Sequence, residues 1–465
     1  MKYLLIFLAA TFTCESSPMQ IDHVENSLME ALAIEGTPIA KKNIYDAMKQ
    51  HSVPAVSIAV INNGTIEWAR SYGTLQAHGE GKAETSSLFQ AGSVSKPVAA
   101  IGVLALVQKG LLDLDQPVDE KLVSWKPQNN DVTLRHLLSH TSGYNVIGFD
   151  GYKEQAPLPT LQQILNGEQP ANNPPVLVQF TPGSKFAYSG GGYCVMQLLV
   201  EEVTGKPFHH FMDEVVFKKL ALTRSTFCYP LPKEYVETAA VAHPGDGKPM
   251  AGRWKTYPES AAAGLWTTPS DLATLLLRIE EVLDKKMVAA MMKPAIPPYG
   301  LGPVVNNEGT DDVEISHKGR TDGFASGYVY FPHLKKGAVV MLNADNGSIL
   351  LDQIFRSISH VYNWPTYKVE TKKVASVAVS ALSRHAGRYG TEHEPNDIYD
   401  IQVYLDGSDL LVAIGKTQPL KLHPESENRF FNLETGRSII FGEEKGTPTL
   451  TVVIQSGFQR TFRKF

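Results

Sequence analysis

QAGSVSKPVAA, residues 90–100, places a lysine three residues after a serine at the head of an apolar run that continues as IGVLALVQKG to Gly110. Residues i and i+3 share a face of a helix, about 5–6 Å apart at Cβ, so Lys96 reaches the Ser93 hydroxyl if a helix begins there. Pro97 fixes that beginning, because proline is tolerated in a first helical turn and breaks an interior. Ser93 is therefore predicted at a helix N-terminus. The helix is apolar on most faces and closes at a glycine, the pattern of a helix inside a core.

Such a pair has a chemical use. A serine hydroxyl needs a base to become a nucleophile. A lysine serves as that base only in its uncharged form, which burial and the positive end of a helix both favour. Backbone N–H groups left unpaired at the helix end can bind developing negative charge. Spacing alone does not separate this from a capped, solvated first turn. The pair gains weight because no other serine in the chain has a lysine three residues on.

The surrounding chain is that of an ordinary globular protein. Its 465 residues predict two to three domains, with 43% hydrophobic and 20% charged residues. A formal net charge of −5 gives no global basic footprint, so nucleic acid is excluded as the expected partner. MKYLLIFLAATFTCESS opens with Lys2, an apolar run from Tyr3 to Ala10 and then small residues, which predicts a secretory signal over residues 1–17. That run is too short to span a bilayer, which takes about 20 apolar residues, and no later stretch reaches that length. A lipid anchor at Cys14 is disfavoured because Thr11-Phe12-Thr13 is a poor lipobox. The expected location is periplasmic or secreted. Without the signal, Cys194 and Cys228 remain, too few for a disulfide scaffold; export permits one bridge, which the sequence leaves open.

Residues 54–75 hold two β-rich runs around Asn62-Asn63-Gly64, a hairpin signal. Thr133 is a helix cap in DVTLRHLLSHTSGY, and the Pro/Asn-rich residues 169–175 read as loop. Helices are predicted at about 193–204, closing at Gly205, at about 268–283 after Thr268-Pro269-Ser270, and at 348–362. VEISHKG, GYVYFP and GAVVMLNADNG read as strands from about residue 313. Strands, a long helical middle, strands again and a helix predict an α+β or α/β domain whose sheet joins both ends of the segment. After a linker over 366–384, short strands with regular turns across 385–465 predict an antiparallel barrel or sandwich.

Two further stretches complete a pattern: Tyr188-Ser189-Gly190 ahead of a glycine-rich turn, and His317-Lys318-Gly319 at the end of a strand. Together with Ser93-Val94-Ser95-Lys96, and with RHLLSHTSGY, VEEVTGKPF and AAAGLWTTPSDLA around them, they occur in an order that resembles the β-lactamase-related serine hydrolases. That group includes class C β-lactamases, D-Ala-D-Ala carboxypeptidases, D-aminopeptidases and related esterases. RHAGRYG, YLDGSDLLVAIG and QPLKLHP resemble the lipocalin-like barrel appended to some members. The fold the resemblance implies is α+β: a β-lactamase/transpeptidase-like domain over residues 22–365, with an antiparallel sheet flanked by helices plus a helical subdomain, then the small antiparallel β-barrel.

The resemblance further implies that Ser93 is the nucleophile, Lys96 its base partner and Tyr188 the shuttle to the leaving group; whether Lys96 or Tyr188 is the working base stays open. The backbone N–H groups of Ser93 and Arg320 would form the oxyanion hole, donors worth about 3–4 kcal/mol each in comparable hydrolases. Gly319 would leave room for substrate along the strand edge. Two departures stand out. His317 replaces a lysine that often grips a substrate carboxylate, and a histidine is only partly charged near neutrality. Gly190 replaces an asparagine that binds the substrate amide in β-lactamases. Both favour an ester or peptide substrate over a β-lactam, with Lys318 or Arg320 as candidates to restore a cation. The expectation is an exported hydrolase acting on a small-molecule or short-peptide substrate. The alternatives are a β-lactamase or carboxypeptidase acting on cell-wall peptides, and a non-catalytic sensor with this fold. No cofactor is implied.

Three bland readings stand beside these. His136 and His140 have the i, i+4 spacing of a helical zinc pair, but Leu137 stands where a zinc protease carries glutamate, so they are read as capping or packing and no metal site is expected. Cys194 is read as packing. Gly191 and Gly192 are read as serving the backbone turn.

Overall fold

The Asn62-Asn63-Gly64 turn closes the predicted hairpin. Asn63 and Gly64 take φ of 51° and 78°, the left-handed pair that tight hairpin turns use, and join β1 (Ala55–Asn62) to β2 (Thr65–Gly73). The computed structural model describes residues 18–128, 131–245, 247–390, 400–415, 419–454 and 459–465, so the expected signal segment and Cys14 lie outside the described residues. Four more strands, β3 (Val304–Asn306), β4 (Glu314–Thr321), β5 (Phe324–Phe331) and β6 (Lys336–Leu342), complete a sheet of order β2-β1-β6-β5-β4-β3. Every neighbouring pair is antiparallel. The sheet thus joins both ends of the segment, as the order of the runs predicts.

Period-two alternation sorts the central strands onto two cores. Along β1, Ala55, Ala59 and Ile61 pack into one and Val56, Ile58 and Val60 into the other. The first core holds the helical region: α1 (Ser95–Gln108), α2 (Gly190–Thr204) and α3 (Pro269–Leu277). The second is covered by α4 (Ser348–Tyr362) together with the helices Pro18–Glu25 and Ile44–Gln50. Every residue of α1 from Ser95 to Leu106 is buried, which is why its sequence shows no polar face.

Two helices differ from their predicted bounds. α2 starts at Gly190, three residues before the expected 193, because the Ser189 hydroxyl accepts the Gly192 N–H at 3.0 Å and caps it there. Gly191 and Gly192 therefore sit inside the first helical turn, not in a turn ahead of it. Close packing is the reason for glycine there: a Cβ on Gly191 would stand 2.9 Å from the Val176 side chain. α3 is capped by Thr268 as expected but stops at Leu277, and a 3-10 turn, Ile279–Glu281, takes the rest of its predicted length.

The C-terminal strands close into a barrel, resolving the choice between barrel and sandwich. Eight antiparallel strands, β7 (Gly387–Gly390), β8 (Ile401–Asp406), β9 (Asp409–Ile414), β10 (Leu420–Pro424), β11 (Arg429–Phe431), β12 (Ser438–Glu444), β13 (Thr447–Val453) and β14 (Gln459–Lys464), pair in sequence order, and β14 returns to β7. Tyr389, Val403, Phe430, Phe441 and Phe462 fill its interior. The segment read as linker, 366–384, is itself structured. Its strand Glu370–Lys372 pairs in parallel with Leu32–Ile34, and Leu382 enters the barrel core. Among the described residues no helix is long and apolar enough to cross a membrane.

Leu104, fully buried in the middle of α1, measures how much the domain depends on this helix. Leu104→Ala is expected to lower unfolding free energy by about 2–5 kcal/mol, read as a shifted denaturant midpoint at unchanged m-value.

Candidate active site

The serine turn is made by Gly92. At φ +50° it bends the chain from the short strand Phe89–Gln90 into a 3-10 turn, Gly92–Val94, a backbone angle that favours glycine. α1 follows at once, and its first turn brings Lys96 against Ser93. The Lys96 Nζ donates to Ser93 Oγ at 3.1 Å and to the Ala262 carbonyl at 2.8 Å. Lys96 is only 2% exposed, while Ser93 is half-buried. The intervening Ser95 is structural: its hydroxyl accepts the Leu265 N–H at 3.0 Å and pins the segment that offers Ala262.

Tyr188 arrives from the loop before α2. Lys96 Nζ lies 4.9 Å from the centre of its ring and 5.8 Å from that of Tyr193. Ser93, Lys96 and Tyr188 are thus brought together.

β4 supplies the third stretch. Its register sets His317 opposite Tyr328, Gly319 opposite Ser326 and Arg320 opposite Ala325. Tyr328 packs in the core that holds α1, and Ala325 packs in the other. By alternation His317 and Gly319 face the serine turn, whereas Lys318 and Arg320 leave from the opposite face. Lys318 goes to Asp352 of α4, Nζ to Oδ1 2.5 Å. This corrects the expectation that Lys318 or Arg320 restores a cation to the site.

The backbones of strand and serine turn touch. A Cβ on Gly319 would stand 2.0 Å from the Ala91 carbonyl oxygen and 2.9 Å from the Ser93 nitrogen, and one on Gly92 would stand 2.7 Å from the Arg320 nitrogen. Ser326 Oγ donates to the Ala91 carbonyl at 2.7 Å across the same contact. Glycine at 319 is therefore required by the packing of strand on turn. The same contact sets the Ser93 and Arg320 nitrogens on adjoining backbone.

His317 is neutral. Its Nδ1–H donates to the Lys318 carbonyl at 2.8 Å, which leaves Nε2 as a buried acceptor with no partner among the described residues. Burial, then the nearby Lys96, push its pKa down to about 3. The partial charge expected of it near neutrality is thus corrected. Gly190 is packed against a loop: its N–H donates to the Ile147 carbonyl at 3.1 Å, and a Cβ there would meet that carbonyl and the Phe149 ring at 3.0 Å each. The loop takes the space a longer side chain would need.

Sequence reasoning missed four residues here. His140 is fully buried and stacks on Tyr188 at 4.1 Å between ring centres. Tyr299 and Phe186 stack on each other at 5.4 Å, and Tyr299 lies 5.8 Å from Tyr188 and 5.7 Å from His317. The fourth, Glu259, is fully buried just before the turn that holds Ala262; burial pushes its carboxyl up to about 8, against the lesser pull of its own backbone N–H and of Tyr152. RHLLSHTSGY carried a signal for His140; nothing marked Tyr299, Phe186 or Glu259. His136 caps its helix, its Nδ1 accepting the Thr133 N–H at 3.2 Å. Cys194 is buried and both it and Cys228 are free thiols. Among the described residues no group of three or more His, Cys, Asp or Glu is placed to hold a metal ion.

Sheet, helical region and serine turn define the β-lactamase/transpeptidase-like class of fold. The Beta-lactamase family profile matches residues 40–354, more than half of the chain, and the chain belongs to that family. A penicillin-binding protein of Bacillus subtilis (strain 168) is 24% identical over 428 residues, covering 79% of this chain and 87% of its own. Among solved structures, the octameric penicillin-binding protein homologue from Pyrococcus abyssi has a TM-score of 0.62 at 22% identity, over 90% of this chain and 98% of that one. D-amino acid amidase from Ochrobactrum anthropi SV3, complexed with L-phenylalanine, has a TM-score of 0.56 at 22% identity, over 69% of this chain and 97% of that one. These likenesses show the fold.

Two measurements follow from the geometry. Gly319→Ala must push the serine turn off β4, so activity should fall about 10²-fold or more while the chain stays folded; wild-type turnover in a folded Gly319→Ala protein would contradict the contact. Glu259 links folding to pH. The unfolded chain releases this proton near 4.5 and the folded chain near 8, so stability falls as pH rises between those values and the penalty is complete above the higher one. Glu259→Gln should remove that slope, so that its stability relative to wild type grows by a few kcal/mol from pH 4.5 to 8 in denaturant titrations.

Proposed function

We propose that the protein is a serine hydrolase that cleaves an amide or ester through an acyl-enzyme on Ser93. The observation that carries this reading is the 3.1 Å contact between Lys96 Nζ and Ser93 Oγ, with the Tyr188 ring 4.9 Å from the same nitrogen. In the forward step Lys96 takes the hydroxyl proton as Ser93 Oγ attacks the carbonyl carbon, and Tyr188 delivers a proton to the departing nitrogen or oxygen. The Ser93 and Arg320 N–H groups receive the developing oxyanion. Water then attacks the acyl-enzyme by the reverse relay and frees the acid. No cofactor takes part in these steps.

The surroundings disfavour a substrate carboxylate. His317 is neutral and Lys318 and Arg320 point away, so this face offers a substrate carboxylate no cation from the third motif. A short peptide amide, a D-amino-acid amide or a simple ester fits better than a β-lactam or a carboxylate-terminated cell-wall peptide. We further infer that the chain is exported, from Lys2 and the apolar run Tyr3–Ala10, and that residues 22–365 form the hydrolase domain and 385–465 the barrel.

Side-by-side assays of p-nitrophenyl esters, D-amino-acid amides and nitrocefin test the reading. Ser93→Ala and Lys96→Ala should each lose about 10³-fold or more in kcat/KM, with nitrocefin the poorest substrate of the wild type. A fluorophosphonate should add to the Ser93 peptide, read by mass spectrometry. Intact turnover in Ser93→Ala, or no adduct on that peptide, would overturn the reading and favour a binding protein.

A further inference from the structure

We propose that His140 is the positioning residue for Tyr188, an inference that rests on the acyl-transfer reading above and assigns a role to a residue outside its three motifs. His140 grips three consecutive residues at once. Its carbonyl accepts the Ala187 N–H at 2.9 Å, its ring stacks on Tyr188 with centres 4.1 Å apart and planes 30° apart, and its Nδ1 accepts the Ser189 N–H at 3.1 Å. Ser189 in turn caps α2, so the grip fixes the last two residues before that helix from both backbone and ring.

The backbone of His140 turns at this point. Its φ is +56°, in the left-handed region that histidine enters more readily than most residues with a Cβ. The helix Leu134–Leu138 ends two residues earlier, with Ser139 as its cap, so His140 is a turn residue whose ring swings under Tyr188 and not the last member of a helical face. The ring is then walled in: Tyr193 lies 5.2 Å from it, and Tyr299 meets it edge-on at 4.8 Å. Because Nδ1 accepts a backbone N–H, the proton of the neutral ring sits on Nε2, which is buried without a partner among the described residues. A ring kept for packing alone would be apolar there; an acceptor at Nδ1 is what ties the stack to Ser189.

The consequence is specific. A phenol that must meet both Lys96 and a leaving group needs one fixed rotamer, and misplacing it by about 1 Å costs up to about 10²-fold in rate. His140→Asn suits the left-handed angle and keeps an oxygen to accept the Ser189 N–H, but removes the stacked ring. His140→Gly relieves the angle and removes ring and acceptor together.

Both variants are compared with Tyr188→Phe, and each is also combined with it, in kcat/KM for D-alanyl p-nitroanilide and p-nitrophenyl acetate alongside thermal melting. We expect folded proteins in which His140→Asn loses about 10- to 100-fold, divided between the two substrates in the same proportion as the Tyr188→Phe loss. His140→Gly should lose more, and neither should lower the Tyr188→Phe activity further by more than about threefold. Loss that multiplies in full with an impaired Tyr188→Phe overturns this proposal alone, as do wild-type rates in His140→Asn. Failure of both single variants to fold overturns it in favour of a structural residue. Wild-type rates in Tyr188→Phe overturn the proton-shuttle role and this proposal together, while Ser93→Ala, run in parallel, reports separately on the nucleophile.

Discussion

Everything at this site depends on a backbone-to-backbone contact between the end of β4 and the turn that carries Ser93. At Gly319 the space a Cβ would occupy is already held by the Ala91 carbonyl oxygen, 2.0 Å away, and Gly92 meets Arg320 from the other side. Two glycines, far apart in sequence, are needed for one approach. Once it is made, the helix start and the strand end share a boundary, and the nitrogens of Ser93 and Arg320 come to lie beside each other. Ser326 fastens the arrangement from β5 through the Ala91 carbonyl. A helix N-terminus exposes unpaired donors and a strand edge does likewise; apposing the two yields a site for negative charge without any charged side chain in it.

The electrostatics follow from burial more than from partners. Lys96 sits among Tyr188, Tyr193 and two histidines, and its nearness, second to burial, pushes both His140 and His317 down. Two groups that could have added positive charge are thereby kept neutral, and each shows a different face: Nδ1 of His140 accepts from the backbone, while Nδ1–H of His317 donates to it. The remaining Nε2 atoms are accordingly a donor on His140 and an acceptor on His317.

How far this was legible in the sequence divides along physical lines. Proline at 97 and glycine at 110 mark the bounds of α1, Asn-Gly marks the hairpin, and regular short strands mark the barrel, because each signal acts within a few residues. The approach of Ser93, Lys96 and Tyr188 followed from the ordered motifs. His140 was masked by its own spacing: four residues after His136, it reads as the same helical face, yet the helix stops at Leu138 and the chain turns left-handed. Tyr299 and Phe186 belong to loops whose position only the tertiary fold decides. The directions of Lys318 and Arg320 required the register of β4, since one residue of slip would exchange its two faces.

That register also explains what the lysine in the third motif does. Lys318 shares Asp352 with a back-face cluster that includes Arg356 and Tyr367, and Arg437 of the barrel lies in the field of the same carboxylate. The odd-numbered residues of β4 thus face the chemistry while Lys318 faces α4 and the barrel. Lys318 is 52% exposed, and a pair that exposed contributes about 0–1 kcal/mol, too little to set where a strand lies. The ladder to β5 and the Gly319 contact set it; the ion pair only directs the lysine side chain. A strand whose position is fixed by its neighbours can therefore give one face to an uncharged site and use the other to meet a second domain.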